Sequence, residues 1–90
     1  MTIGVNLMKT AHIFSMTEYV DKALKKAEYS RDENGVVIAK VPNASGFFAQ
    51  GDNFEEARDH LREVIEGNVI LSLQLGIPIP TIEGVKTTEA

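Results

Sequence analysis

The 90-residue chain is predicted to fold as an α+β domain, and three observations carry that prediction. A capped amphipathic segment starts at Ser15, and an Asn34-Gly35 pair separates two strand-like runs. A longer helical run then opens after Gly51-Asp52-Asn53 and stops at Gly76, just before Pro78. The implied order is an N-terminal helix, a three-stranded antiparallel meander and a long helix, with a β-branched run after it suited to a further strand.

Residues 1–13 show no strong period and are expected to form a poorly ordered extension, in which Met8 offers an alternative start. The first helix has Ser15 as N-cap and Glu18 three residues on, a capping box, with Phe14 and Tyr19 placed as a hydrophobic staple. Val20, Ala23, Leu24 and Ala27 recur at helical spacing and form its buried stripe.

Asn34-Gly35 signals a two-residue type I′ hairpin. That turn would set Arg31 opposite Ile38 and Tyr29 opposite Lys40 on one face, with Ser30 opposite Ala39 and Glu28 opposite Val41 on the other. The second strand is apolar on both faces through Val36, Val37, Ile38, Ala39 and Val41. Either the two helices cover opposite faces, or Val36 sits at an exposed hairpin end. Residues 47–50, bounded by Gly46 and Gly51, read as the third strand.

The second helix runs from Phe54 to about Leu75, capped by Asn53 with Glu56 or by Asp52 with Glu55. On a helical wheel Phe54, Ala57, Leu61, Val64, Ile65 and Leu75 form one stripe, and Val69, Ile70 and Leu73 fall outside it. Either the helix rotates or kinks near Gly67, or those three residues meet another surface, which makes them the expected oligomer interface. Its outward first half carries Glu55, Glu56, Asp59 and Glu63, an acidic face suited to a basic partner. Residues 81–85 are suited to a strand and 86–90 to a frayed tail, so a single domain is expected over 14–85.

With 43% apolar and 24% charged residues, one small soluble core is expected. Chains of this length bury only about 60–65% of their unfolded surface, so homo-oligomerisation is expected to add stability. The net charge of −4 disfavours nucleic-acid backbones, and Lys22, Lys25 and Lys26 make the one basic cluster. Zero cysteines exclude disulfides and thiolate metal sites. The first 14 residues lack the pattern of a signal peptide, and no apolar run is long enough to span a membrane, so a cytoplasmic, membrane-free protein is expected.

The residues offer no catalytic constellation. Two-metal phosphodiester cleavage needs carboxylates converging on ions about 3.5–4 Å apart. The strand region supplies only Glu28, Asp32 and Glu33, and the last two alternate faces beside a turn. His12 and His60 lack partners at ligand spacing, the serines lack a nucleophile context, and no glycine-rich phosphate loop occurs. No cofactor, no metal and no enzymatic activity are expected.

From Val41 to Ala57 the chain reads Val-Pro-Asn-Ala-Ser-Gly-Phe-Phe-Ala-Gln-Gly-Asp-Asn-Phe-Glu-Glu-Ala. This order resembles the HicB antitoxin family: a strand ending in Pro, a turn ending in Gly, and Gly-Asp-Ser/Thr-x-Glu-Glu-Ala at a helix start. Gly76-Ile77-Pro78-Ile79-Pro80 also matches the way many relatives close the long helix. The resemblance runs from about Tyr19 to Val85. It departs at Pro42-Asn43-Ala44-Ser45-Gly46, where the family often has Pro-(Asp/Glu)-Leu-Pro-Gly. It implies a partial ribonuclease-H-like fold and a non-catalytic antitoxin that masks a small, basic, mRNA-cleaving toxin resembling HicA. Many members carry a C-terminal DNA-binding domain not found in this sequence, so direct DNA binding is not expected. The alternative expectation is a stand-alone oligomeric structural or regulatory module with no toxin partner.

Overall fold

The computed structural model describes residues 15–82. Their order is helix α1 (Met16–Lys25), strands β1 (Glu28–Arg31), β2 (Val37–Lys40) and β3 (Phe48–Gly51), and helix α2 (Phe54–Leu75). The strands form one antiparallel sheet in the order β1-β2-β3. The expected N-terminal extension, Phe14 of the staple, His12 and the tail lie outside the described residues. So does most of the expected strand over 81–85, whose first two positions, Thr81 and Ile82, are not in a strand.

Helix α1 starts as its sequence demands. Ser15 is extended and its side chain accepts the N–H of Glu18 at 3.2 Å, satisfying one orphan donor of the first turn. Tyr19, Val20, Ala23 and Leu24 are buried, and Ala27 packs at the margin. The Tyr19 hydroxyl donates to the carbonyl of Pro80 at 2.5 Å, which ties the chain beyond α2 back onto α1. Burial pushes that phenol up to about 12.

The hairpin corrects the expected register. Glu28 faces Lys40, Tyr29 faces Ala39, Ser30 faces Ile38 and Arg31 faces Val37, one residue away from the two-residue-turn pairing. The cause is Asp32. Its carboxylate accepts the N–H groups of Asn34 and Val36, while the N–H of Gly35 reaches its carbonyl. Gly35 takes φ +85° and Asn34 does not enter the left-handed region, so the loop is a three-residue turn with a glycine bulge. This one-residue change sends Tyr29 and Arg31 to the helix-covered face. There the Tyr29 ring meets Phe54 edge-on at 5.8 Å, and the Arg31 guanidinium sits 4.9 Å from the Phe54 ring centre.

Two further turns link β2 to β3. Val41 accepts the N–H of Ala44, Ala44 accepts that of Phe47, and each turn has a left-handed residue at its third position, Asn43 (φ 63°) and Gly46 (φ 88°). They drop Phe47 into the core against Tyr19, the rings edge-on at 6.3 Å. Both helices share a single core with Val37 and Ala39 on the inner face of β2 and with Val41 just beyond its end. The outer face, bearing Ile38, Lys40, Phe48 and Gln50, has no buried residue, so the two helices do not cover opposite faces.

Gly51 marks a close approach between β3 and α2. The sequence sets this glycine just beyond the third strand, but it is the last residue of β3, opposite Val37, and a Cβ on it would lie 2.5 Å from the backbone nitrogen of Ala57. Glycine lets the first turn of α2 sit directly on the strand.

Candidate protein-interaction surface

Helix α2 positions the candidate surface. Asn53 is the N-cap, accepting the N–H of Glu56 at 2.8 Å, and the Glu56 carboxylate reaches back to the N–H of Asp52 at 2.5 Å. Of the two spaced alternatives, the Asn53 and Glu56 pair therefore forms the box. At the other end Gly76 is left-handed, and Ser72 accepts the N–H groups of both Gly76 and Ile77. Between these caps the helix is unbroken through Gly67.

Ala57, Leu61, Ile65 and Val69 form its buried row, each 0% exposed. Val69 therefore leaves the expected oligomer interface: it is core, four residues beyond Ile65 on the same ridge. Phe54 and Leu75, expected in the buried stripe, are exposed. Ile70 and Leu73 do lie outside the core, 48% and 58% exposed, and Leu71 and Ile77 join them. Burial ends at Val69 because the helix continues past the sheet, leaving its last turns bare.

Glu55, Asp59 and Glu63 are exposed and follow one another every fourth residue, so they line one ridge. Glu56 is half-buried and its carboxylate is engaged in the cap, which separates it from the other three. The same ridge passes Gly67, where a Cβ would meet nothing within 4 Å, and continues into Leu71 beside Ile70. One side of α2 thus changes from acidic to apolar at Gly67. Arg62, on the flank, approaches Asp21 of α1 at 3.9 Å across solvent, a pair worth at most about 1 kcal/mol.

His60 carries a role that the sequence did not disclose. From the exposed surface of α2 its Nδ1 lies 2.7 Å from the carbonyl of Gln50, pinning the helix to the end of β3. That hydrogen bond raises the imidazole pKa, slight burial opposes the rise, and Glu56, Glu63 and Asp59 add to it. The partners are ten residues apart on different elements, so no local motif announces them.

A cleft of about 500 Å³ opens beside the 43–46 turn, between Asn68 and Ser72 of α2 and the Pro78–Pro80 segment, with Phe47 at its floor. Its lining carries amide and hydroxyl groups and no charge. Among the described residues no polar or charged side chain other than the Tyr19 phenol is buried, and no group of three or more His, Cys, Asp or Glu is gathered to hold a metal. Among them too, no helix is long and apolar enough to cross a membrane.

Known proteins place this arrangement. The fold is similar to that of TTHA0281 from Thermus thermophilus, with a TM-score of 0.75 over 83% of this chain and 94% of that one; at 21% identity the likeness concerns the fold alone. UPF0150 protein ssr1258 of Synechocystis is 42% identical over 36 residues, 40% of this chain and 52% of the relative, so the match spans about half the relative's length. Residues 18–80, from α1 to the Tyr19-bound Pro80, match the UPF0150-like family, and the chain belongs to that family.

Proposed function

We propose that the protein is a HicB-like antitoxin-type binding protein. It docks a small, basic, HicA-like mRNA-cleaving toxin and masks it without chemistry of its own. One observation carries the reading: the ridge of α2 on which exposed Glu55, Asp59 and Glu63 run into exposed Ile70, Leu71 and Leu73. Carboxylates on such a strip steer a basic partner, and the adjoining apolar side chains supply the area that holds it. The motif order from Val41 to Ala57 supports the same reading.

The test uses a short, basic protein encoded beside this chain's gene, purified with and without it. Complex formation should suppress RNA cleavage, and its on-rate should fall steeply with added salt. Reversing Glu55, Asp59 and Glu63 together to Lys should slow association about tenfold or more while circular dichroism is unchanged. An unchanged on-rate places the interface elsewhere. No suppression of cleavage by any such neighbour refutes the antitoxin reading.

The bare apolar end of α2 favours a second reading, a stand-alone oligomeric module assembled through Ile70 and Leu73. Under it the chain associates with itself, and Ile70→Asp with Leu73→Asp yields a folded monomer by light scattering.

A further inference from the structure

Among the described residues the outer edge of β3 pairs with no further strand, and it leads to an interface that does not rest on the toxin reading. Strand β3 is a terminal strand of the sheet, and its pairing alternates in sense along its length. Val41 donates to the carbonyl of Phe47, so Phe47, Ala49 and Gly51 turn their backbone groups toward β2, opposite Val41, Ala39 and Val37. By the same alternation Phe48 and Gln50 turn theirs outward. The His60 ring takes one lone pair of the Gln50 carbonyl. The remaining outward groups, the N–H and C=O of Phe48 and the N–H of Gln50, face away from the sheet.

Such an edge is ordinarily protected by charge, proline or a bulge. The other edge strand, β1, carries Glu28 and Arg31. Strand β3 reads Phe-Ala-Gln-Gly, with none of these devices, and Phe48 is the most exposed large apolar side chain described, at 63%.

We propose that this edge pairs with β3 of a second copy, antiparallel about a dyad at Ala49, to give one continuous six-stranded sheet. The two outward-facing residues flank Ala49 symmetrically, so the dyad sets each Phe48 against the other copy's Gln50 and both exchange backbone hydrogen bonds. The two Phe48 rings become diagonal neighbours on the outer face, within reach of one another. Gln50 keeps its bond to His60, because a carbonyl accepts two donors.

The charge pattern selects a copy over a basic partner. In a chain of net charge −4, residues 48–51 are themselves neutral, so the paired strands bring no like charges together, and the carboxylates nearest the seam, Glu56, Asp59 and Glu63, surround the His60 imidazole that already holds Gln50.

The experiment is light scattering on the full chain from low micromolar to submillimolar concentration, with circular dichroism on every variant. The parent is expected at twice its monomer mass. Gln50→Pro removes an N–H that the internal ladder does not use, and Phe48→Lys sets two cations side by side across the seam. Both should give folded monomers of half the mass, and Ile70→Asp with Leu73→Asp should remain dimeric. Ala49→Cys places the only thiols of the assembly across the dyad, Cα atoms about 4.5 Å apart, and should cross-link under mild oxidation. A parent that is monomeric throughout overturns the proposal. So does a dimer that survives both edge variants, one that the α2 variant alone dissociates, or one in which Ala49→Cys fails to cross-link.

Discussion

Replacing Gly51 by alanine tests the packing that places α2 on the sheet. The added Cβ would lie 2.5 Å from the Ala57 nitrogen, 2.8 Å from the Glu56 carbonyl carbon and 2.9 Å from the Glu56 Cβ. Two of these are backbone atoms in the capped first turn and the third is bonded directly to the backbone, so no flexible side-chain end can move aside. Overpacking of this kind costs about 1–3 kcal/mol, and the gain from replacing a strand glycine offsets only about 0.5–1 kcal/mol of it. A domain of this size has roughly 5–14 kcal/mol in total. A net loss of about 1 kcal/mol should therefore lower Tm by about 4–8 °C. Urea denaturation followed by circular dichroism measures the loss, with an unchanged m-value showing that the unfolded state is unaltered. A shift of the His60 ring signals would report movement of the helix off Gln50. Gly67→Ala is the internal control: its Cβ meets nothing, so it should stabilise by up to about 1 kcal/mol. If Gly51→Ala unfolds at the same urea concentration as the parent, the close approach of α2 to β3 is wrong.

Four other substitutions probe separate contacts. Val69→Asp should abolish cooperative unfolding, whereas Ile70→Asp should leave the monomer's midpoint nearly unchanged; equal effects would contradict the division between core and surface on α2. Tyr19→Phe should cost about 1–2 kcal/mol by leaving the Pro80 carbonyl without its donor. Because the folded phenol titrates at about 12, above its unfolded value of 10.0, stability present below pH 10 should fall through that window, and Tyr19→Phe should flatten the fall. The His60 ring, followed by NMR, should titrate above its usual 6.5, and Glu63→Gln should lower the midpoint; a midpoint at or below 6.5 would remove the Gln50 clasp. By the same sign, whatever the clasp contributes is present below pH 6.5 and lost as pH rises through the folded-state value.

Local chemistry was legible where a residue acts on its own neighbours. Ser15, Asn53 and Gly76 sit at helix ends for reasons contained within three or four residues, and the structure places them there. The register was misread because Asn34-Gly35 is a strong hairpin signal considered alone, yet Asp32 competes for the same backbone. An Asp at the first and a Gly at the fourth position of a turn are themselves a signature, and that one prevailed. The wheel of α2 misplaced Val69 because Val64 and Leu75 drew the apparent stripe away from the ridge that packs. A helix that overruns its sheet carries apolar residues that report nothing about its core. The His60 clasp and the need for glycine at position 51 arise between elements, where no spacing rule reaches.

The three-residue loop after β1 has an evolutionary corollary. Strand faces alternate residue by residue, so the loop length acts as a parity bit for everything upstream of it. Losing or gaining one residue among positions 33–35 would turn Tyr29 and Arg31 to the open side and push Glu28 and Ser30 beneath α2. Phe54 would then lose both its ring partner and its cation. Two-residue insertions preserve parity and lengthen only the tip. The loop should thus accept varied residues beyond Asp32 and Gly35, while its length changes in steps of two.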